Sequence, residues 1–187
     1  MEDPFDFGEL RIRQPGRLIP GKAKYEIFDT GRHLLAIASE EAGRSWKQTL
    51  ARELPGTRAL GVHTAAGEQV LTLIKRNSDW AADLTAPDGK PVGRIRIGDT
   101  RRQYTLVDGS GEVVGEAVGD LAVKNFAVTG AEGAPIASVR KTWAGLKEML
   151  TSADNYTVKF ADPVPGPARV LTVMMTIVLD LARYGPD

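Results

Sequence analysis

Hydrophobic positions along most of this chain occur in short alternating runs, which are separated by turns that contain glycine. Four of these turns, centred on Gly67, Gly89, Gly111 and Gly133, follow one another at intervals of 22 residues. Glycine tolerates the positive φ that tight hairpin turns require. A period of this length holds two strands and two turns and leaves no room for a crossover helix, so the pattern predicts antiparallel hairpins.

The number of strands follows from counting the hairpins. Gly31, in FDTGRHLLAIA, marks a fifth hairpin that is set back by a longer insert. Five hairpins contribute ten strands, and the runs LRIRQ (Leu10–Gln14) and YTVKF (Tyr156–Phe160) supply two more. Many short strands at regular spacing are typical of a β-barrel or a β-sandwich.

The C-terminal segment has a different pattern, because nearly every residue from Val170 to Leu181 is apolar or threonine. The prolines of PVPGP before it and Gly185 after it mark the limits of a helix. A helix that is apolar on all sides must be buried on all sides. A barrel of eleven or twelve strands has a lumen that accommodates one helix. We therefore predict an all-β fold, a closed antiparallel barrel of about twelve strands around a hydrophobic C-terminal helix.

Several side chains have predicted places in this barrel. Thr172 and Thr176 are expected to donate their hydroxyls to carbonyl groups one turn earlier in the helix. Asp180 and Arg183 are three residues apart and are expected to form an ion pair on its last turn. Small strand residues are expected to face the lumen and make room for the helix: Ala36, Ala38, Ala81, Gly93, Ala117 and Ala137.

A second helix is predicted over Gly43–Gly56, where Trp46, Leu50 and Leu54 recur at helical spacing. Trp46 and Lys47 are candidates for contact with a membrane, since an aromatic ring beside a cation suits a bilayer surface. The simpler interpretation is that Trp46 packs this helix against the barrel.

Composition and charge exclude several classes of function. The chain has 24 Lys and Arg residues and 24 Asp and Glu residues, and a net charge of zero argues against nucleic-acid binding. The lack of cysteine excludes disulfides, thiolate metal sites and S-acylation. Residues 1–9 are predicted to form an acidic tail before one domain over residues 10–187. The tail is unlike a signal peptide, and the apolar stretch Val170–Leu179 has about half the length of a spanning helix. We therefore expect a cytoplasmic protein that is not transmembrane.

The clearest basic set lies on successive predicted hairpins, so its side chains are neighbours on the sheet. Guanidinium groups suit phosphate, because their forked donors match its oxygens, and such a surface would bind anionic headgroups. The alternative, which we favour, is that these are solvated outward residues that discourage edge pairing. The set comprises Lys75, Arg76, Arg94, Arg96, Arg101 and Arg102.

Residues suited to catalysis are few. His33 and His63 each lie beside a hairpin turn, and neither has neighbours at metal-ligand spacing. Ser110, between two glycines, lacks the strand-to-helix elbow of a nucleophilic serine. The sequence predicts no catalytic residue and no cofactor.

The run KTWAGLKEMLTSADNYTVKF (Lys141–Phe160), followed by a proline-containing loop and an apolar helix, resembles the phospholipid scramblase and LURP-one-related families of the tubby-like superfamily. The resemblance covers roughly residues 10 to 184 and implies a twelve-stranded barrel around a central helix. The residues that carry it most strongly are Trp143, Gly145, Glu148, Ala153, Asp154, Asn155, Tyr156 and Phe160.

The resemblance also implies a function. Tubby-like domains are associated with phosphoinositide binding, scramblases with calcium-dependent lipid movement, and LURP-one-related members largely lack an assigned activity. It therefore implies a non-enzymatic binding domain for anionic phospholipid or phosphoinositide headgroups, peripheral at the membrane. Two alternatives are a protein-interaction or scaffolding domain without lipid affinity, and an enzyme with a pocket at a barrel mouth.

In scramblases, the stretch that matches Ser152–Pro163 is a proposed calcium loop resembling an EF-hand. Here Ser152 and Pro163 occupy the first and twelfth ligand positions, Thr157 replaces the glycine at the sixth, and Asp154 alone remains at an early position. We therefore predict no metal site, and expect a strand with Tyr156, Val158 and Phe160 facing inward.

Overall fold

The computed structural model describes residues 3–15, 23–40, 57–76, 79–130, 132–143 and 154–182, which form twelve strands and one helix. The first six strands are β1 (Glu9–Arg13), β2 (Lys24–Phe28), β3 (Leu34–Ser39), β4 (Thr57–Thr64), β5 (Gln69–Arg76) and β6 (Ala81–Thr85). The other six are β7 (Pro91–Ile97), β8 (Gln103–Asp108), β9 (Val113–Gly119), β10 (Asn125–Thr129), β11 (Pro135–Trp143) and β12 (Asp154–Phe160). The helix, α1 (Gly166–Leu181), follows β12.

The strands form one closed antiparallel barrel. Each strand pairs with the next along the chain, and β1 pairs with β12 to close the sheet. At the closing seam Leu10 lies opposite Val158 and Ile12 lies opposite Tyr156, so four apolar side chains face the interior together. The prediction of a twelve-stranded barrel with an enclosed helix is confirmed.

The hairpin turns of the barrel contain residues whose backbone has a positive φ. Gly67, Gly89, Gly111 and Gly133 all have positive φ, between 77° and 95°, as the 22-residue pattern predicts. At the hairpin between β2 and β3, Arg32 has the positive φ (67°), one residue after the predicted Gly31.

The helix α1 fills the lumen. Its sixteen residues extend about 24 Å, and every side chain from Leu171 to Leu181 is buried. Five of the six small residues predicted to face the lumen are buried, but the prediction for Ala81 is wrong. Its neighbour Ala82 faces inward instead, because Ala82 shares the inner face of β6 with Leu84.

The buried polar side chains of α1 form hydrogen bonds within the helix or at the ends of the barrel. Thr172 Oγ1 donates to the Ala168 carbonyl and Thr176 Oγ1 to the Val173 carbonyl, each at 2.7 Å. At the N-terminal end, Arg169 Nη1 donates to the Phe7 carbonyl at 2.9 Å, and its guanidinium lies 4.8 Å from the Phe160 ring centroid.

Asp180 is fully buried at the C-terminal end of α1. Its carboxyl group accepts hydrogen bonds from Gln14 Nε2 at 2.9 Å and from Tyr25 Oη at 2.5 Å, and a buried polar group requires such partners. Arg183, the partner expected from the sequence, lies outside the described residues.

The contacts of Asp180 also show which ends of the strands lie at the same end of the barrel as the C-terminus of α1. Gln14 follows β1 and Tyr25 belongs to β2, so the end of β1 and the start of β2 lie where α1 ends. Because neighbouring strands are antiparallel, the last residues of all odd-numbered strands lie at this same end of the barrel, which we name the C-terminal rim.

Two other predictions concern the periphery. The predicted helix over Gly43–Gly56, with Trp46 and Lys47, lies outside the described residues. Within the stretch predicted to be an acidic tail, Phe5 is buried in the core, and Asp6 Oδ1 lies 3.9 Å from Arg169 Nε.

Candidate functional site

Two of the six predicted basic residues are neutralised by carboxylates on the outer wall of the barrel. Arg94 Nε donates to Asp83 Oδ1 at 2.6 Å, and this hydrogen bond raises the pKa of Arg94. Arg76 Nη1 lies 3.3 Å from Asp83 Oδ2 and 3.5 Å from Asp79 Oδ2. One aspartate thus bridges Arg76 and Arg94, which reduces their attraction for an external anion.

Lys75 does not join the outer surface. It shares the inner face of β5 with Leu71 and Leu73, and burial lowers its pKa. Its ammonium donates to the carbonyl of Arg76 and, at 2.5 Å, to that of Asp79. Lys75 therefore closes the turn between β5 and β6 from inside the C-terminal rim.

Arg96, Arg101 and Arg102 remain without a carboxylate partner in the part of the chain that the structure describes. Arg96 is exposed on the outer face of β7. Arg101 and Arg102 lie in the turn between β7 and β8, where Arg101 is exposed with a φ of 55°. Such left-handed backbone is uncommon outside glycine and asparagine, and here it ends the turn with a solvated guanidinium.

Exposed apolar side chains lie on both sides of this turn. Trp80, in the turn before β6, is 55% exposed, and Leu121, in the turn after β9, is 88% exposed. Val118, close to the end of β9, is 53% exposed. Solvent-exposed large apolar side chains grouped together are a mark of interaction surfaces.

Backbone hydrogen bonds join these three turns into one continuous stretch of the C-terminal rim. Ile97 N donates to the Trp80 carbonyl and Gly119 N donates to the Arg102 carbonyl, both at 2.7 Å. The order around the rim is therefore apolar, basic, apolar. We name this stretch the rim arc: Trp80, Arg101, Arg102, Val118 and Leu121.

Two of the acidic residues near the rim arc, Asp120 and Asp79, have hydrogen-bond or ion-pair partners. Asp120 accepts hydrogen bonds from Lys124 N at 2.8 Å and from Asn125 Nδ2 at 2.6 Å, which lower its pKa. It therefore serves to shape the turn between β9 and β10. Asp79 lies beside Arg76, and Asp99 is exposed beside Arg101.

The remnant of the calcium loop shows strand geometry. Asp154 opens β12 opposite Trp143, while Tyr156 is buried and Val158 faces the interior beside α1. Ser152 lies outside the described residues. In the described ranges, no three His, Asp or Glu side chains are grouped as metal ligands.

The two histidines lie apart from the rim arc. His33 Nδ1 is 2.8 Å from Asp29 Oδ2 in an exposed turn, and this contact lowers the pKa of Asp29. His63 borders a shallow groove on the outer wall with Lys24 and Ser39. Among the described helices, none is long and apolar enough to cross a membrane.

Comparisons with known proteins agree on the fold. The model of the Scramblase family matches residues 20–185. The X-ray structure of a protein from Arabidopsis thaliana is similar over 95% of this chain and 94% of that chain, with a TM-score of 0.57 and 13% sequence identity. No curated protein matches the chain. The resemblance to the scramblase family that was inferred from the sequence is confirmed.

Proposed function

The chain belongs to the scramblase family, and on that premise we propose that it is a non-enzymatic binding domain whose rim arc contacts anionic phospholipid headgroups. The observation that supports this function is the order of exposed side chains along the rim arc, with guanidinium groups between apolar residues. Peripheral membrane surfaces combine these two features, since cations attract the headgroups while apolar side chains enter the interface.

The energetics favour contact through the rim. Each Arg or Lys near an anionic bilayer contributes about 1 kcal/mol. Trp80 and Leu121 are already exposed in the free protein, so both can enter the interface without unfolding any part of the barrel. Burial of Leu121, which is 88% exposed, gains up to about 1.5–3 kcal/mol. Because α1 is enclosed, this contact is peripheral and uses the rim, and we propose the anionic cytoplasmic leaflet as its location.

Removing the two cations in the turn between β7 and β8 is expected to weaken vesicle binding strongly. Arg101→Ala combined with Arg102→Ala should lower the affinity for anionic vesicles about thirty-fold, since about 2 kcal/mol of attraction is lost. Co-sedimentation with vesicles of increasing phosphoinositide content measures this, and wild-type pelleting should rise with that content.

Arg94→Ala is the matched control, because Asp83 already neutralises Arg94. It should bind almost as the wild type does, while Arg96→Ala should weaken binding. Pelleting that is independent of phosphoinositide content, or equal for the double variant and wild type, would contradict lipid binding at this surface. Complete absence of pelleting would instead favour the protein-interaction alternative, which the same apolar side chains would serve.

A further inference from the structure

One corner of the barrel carries negative charge only. Residues 103–139, which form β8, β9, β10 and the start of β11, contain five carboxylates and a single cation, Lys124. Lys124 lies in the turn between β9 and β10, at the C-terminal rim. At the opposite end of these strands, the charged side chains that the structure describes are all acidic: Asp108, Glu112, Glu116 and Glu132.

Three of these four carboxylates belong to exposed glutamates. Glu112 directly precedes β9. Glu116 lies opposite Thr129, the last residue of β10, and is therefore close to the turn that holds Glu132. The three glutamates, which we name the acidic corner, have no cationic partner among the described residues. Asp108 differs, because its carboxylate accepts hydrogen bonds from within its own turn between β8 and β9.

A basic surface lies a quarter of the way around the barrel, on the outer faces of β11, β12 and β1. Arg11 lies opposite Thr157, and Thr157 lies opposite Arg140, so two guanidinium groups flank one threonine across the sheet. Arg32, in the turn between β2 and β3, lines the same wall. Arg32 and Arg140 are exposed, and neither has a carboxylate partner in the ranges that the structure describes.

The net charge of this surface follows from its ion pairs. Glu9 Oε1 lies 3.3 Å from Arg11 Nη2, and Glu9 Oε2 lies 3.3 Å from Lys159 Nζ, so one carboxylate is shared by two cations. Arg13 nearby is already held by Glu26 and does not contribute. Four cations and one carboxylate therefore leave a net charge of plus three. These residues, which we name the basic wall, are Arg11, Arg32, Arg140, Lys159 and Glu9.

The acidic corner and the basic wall have equal and opposite charge. The whole chain has 24 basic and 24 acidic residues and no net charge, so its copies do not repel each other at long range. Complementary charged patches raise the rate of encounter and select the orientation in which the patches meet. One molecule thus carries both halves of an electrostatic interface.

We propose that the acidic corner of one copy of this chain docks on the basic wall of a second copy. Guanidinium groups bind carboxylates through paired N–H donors. Two grooves of about 310 and 350 Å³, which share Thr142 and Thr157, give the wall a shallow trough. The turns before β9 and β11 each have an exposed tip with a glycine of positive φ, Gly111 and Gly133, and such narrow tips fit this trough.

The interface is heterologous, because two different surfaces of the chain meet. A pair of copies keeps one free basic wall and one free acidic corner, so further copies add in the same way. Its few strands and polar contacts place it among weak, transient interfaces, which bury less than about 1,200 Å². Association therefore requires high protein concentration and low salt, and the chain should be monomeric in a vesicle assay at physiological salt.

Sedimentation velocity of the full chain tests this inference. The weight-average sedimentation coefficient of wild type should rise with concentration at about 10 mM salt, where charges act over about 30 Å, but not at about 1 M, where they act over about 3 Å. Glu112→Gln with Glu116→Gln and Glu132→Gln should weaken association about ten-fold or more. The matched control should associate far more strongly, because it removes three exposed carboxylates from other parts of the surface: Glu68→Gln, Asp99→Asn and Asp162→Asn.

A mixing experiment distinguishes this contact from other kinds of self-association. The basic-wall variant, Arg32→Gln with Arg140→Gln, and the acidic-corner variant should each be monomeric at a concentration at which wild type associates. An equal mixture of the two should form pairs and stop there, because each variant contributes only one working surface.

Three results would overturn the inference: wild type that stays monomeric at low salt, an acidic-corner variant that associates as the matched control does, or a mixture that stays monomeric or grows beyond pairs. The acidic corner and the basic wall share no residue with the rim arc. Loss of vesicle pelleting in the rim variant Arg101→Ala with Arg102→Ala therefore tests the proposed function alone and leaves these results unchanged.

Discussion

Replacing Met174 with lysine is expected to prevent the barrel from folding. Met174 is fully buried near the middle of α1, where the surrounding side chains are those of the barrel lumen. A buried ammonium without a partner costs several kcal/mol, and loss of the methionine packing adds to this. The sum is comparable with the whole stability of an ordinary domain, about 5–15 kcal/mol.

Far-ultraviolet circular dichroism and size-exclusion chromatography of the purified chain measure this effect. Met174→Leu is the matched control and should cost less than about 1.5 kcal/mol, because it nearly conserves volume and polarity. If Met174→Lys folded with a melting temperature close to that of wild type, this side chain would have access to solvent and α1 would not fill the lumen.

Gly93→Ala is expected to have the second largest effect, because both the neighbouring strand and a side chain of α1 occupy the space that a Cβ would need. A Cβ at this position would lie 2.5 Å from the Val107 carbonyl oxygen and 2.9 Å from a Leu171 methyl carbon. The backbone oxygen belongs to the paired strand β8 and cannot move aside without breaking the sheet. We expect a loss of about 2–4 kcal/mol in the free energy of unfolding.

Urea denaturation compares this variant with Gly8→Ala, where nothing lies within 4 Å of the added Cβ. Gly8→Ala should change stability by less than about 0.5 kcal/mol. Adding Leu171→Ala to Gly93→Ala should not restore stability, since the clash with Val107 remains. Equal stability of Gly93→Ala and wild type would mean that β7 and β8 are not packed in this register.

The architecture could be predicted because turns and buried segments each depend on a few neighbouring residues in the sequence. A glycine with positive φ reports on its own turn, and an apolar stretch such as that of α1 reports on its own burial. The inner face of a strand is harder to predict where neighbouring residues are alike. Ala81 and Ala82 are identical in size, and only Leu84, two residues after Ala82, shows which of them faces inward.

For Lys75, the alternation of residues along β5 and the charge of the side chain predict opposite positions. Leu71, Leu73 and Lys75 share one parity along β5, so alternation alone places the lysine inside. Its positive charge, by contrast, predicted a place on the outer surface. A lysine at the end of a strand resolves the conflict, because its ammonium reaches the carbonyls of the adjoining turn.

The rim arc depends on contacts between separate turns, and the spacing of the hairpins predicts that these turns are neighbours but not which of their side chains are exposed. Trp80 and Leu121 are separated by forty-one residues and become neighbours on one rim only through the hairpins between them.

The proposed orientation of the barrel on a bilayer can be measured with one fluorescent label placed at either of two positions. The chain has no cysteine, so Leu121→Cys and Val113→Cys each provide a unique thiol for an environment-sensitive fluorophore. Both residues are exposed and apolar, but Val113 opens β9 at the opposite end of the barrel. With phosphoinositide-containing vesicles, the label at position 121 should shift its emission to the blue and be quenched by brominated lipid, while the label at position 113 stays in water. Insertion of the label at position 113, or equal solvent exposure of both labels on bound vesicles, would contradict the proposed orientation.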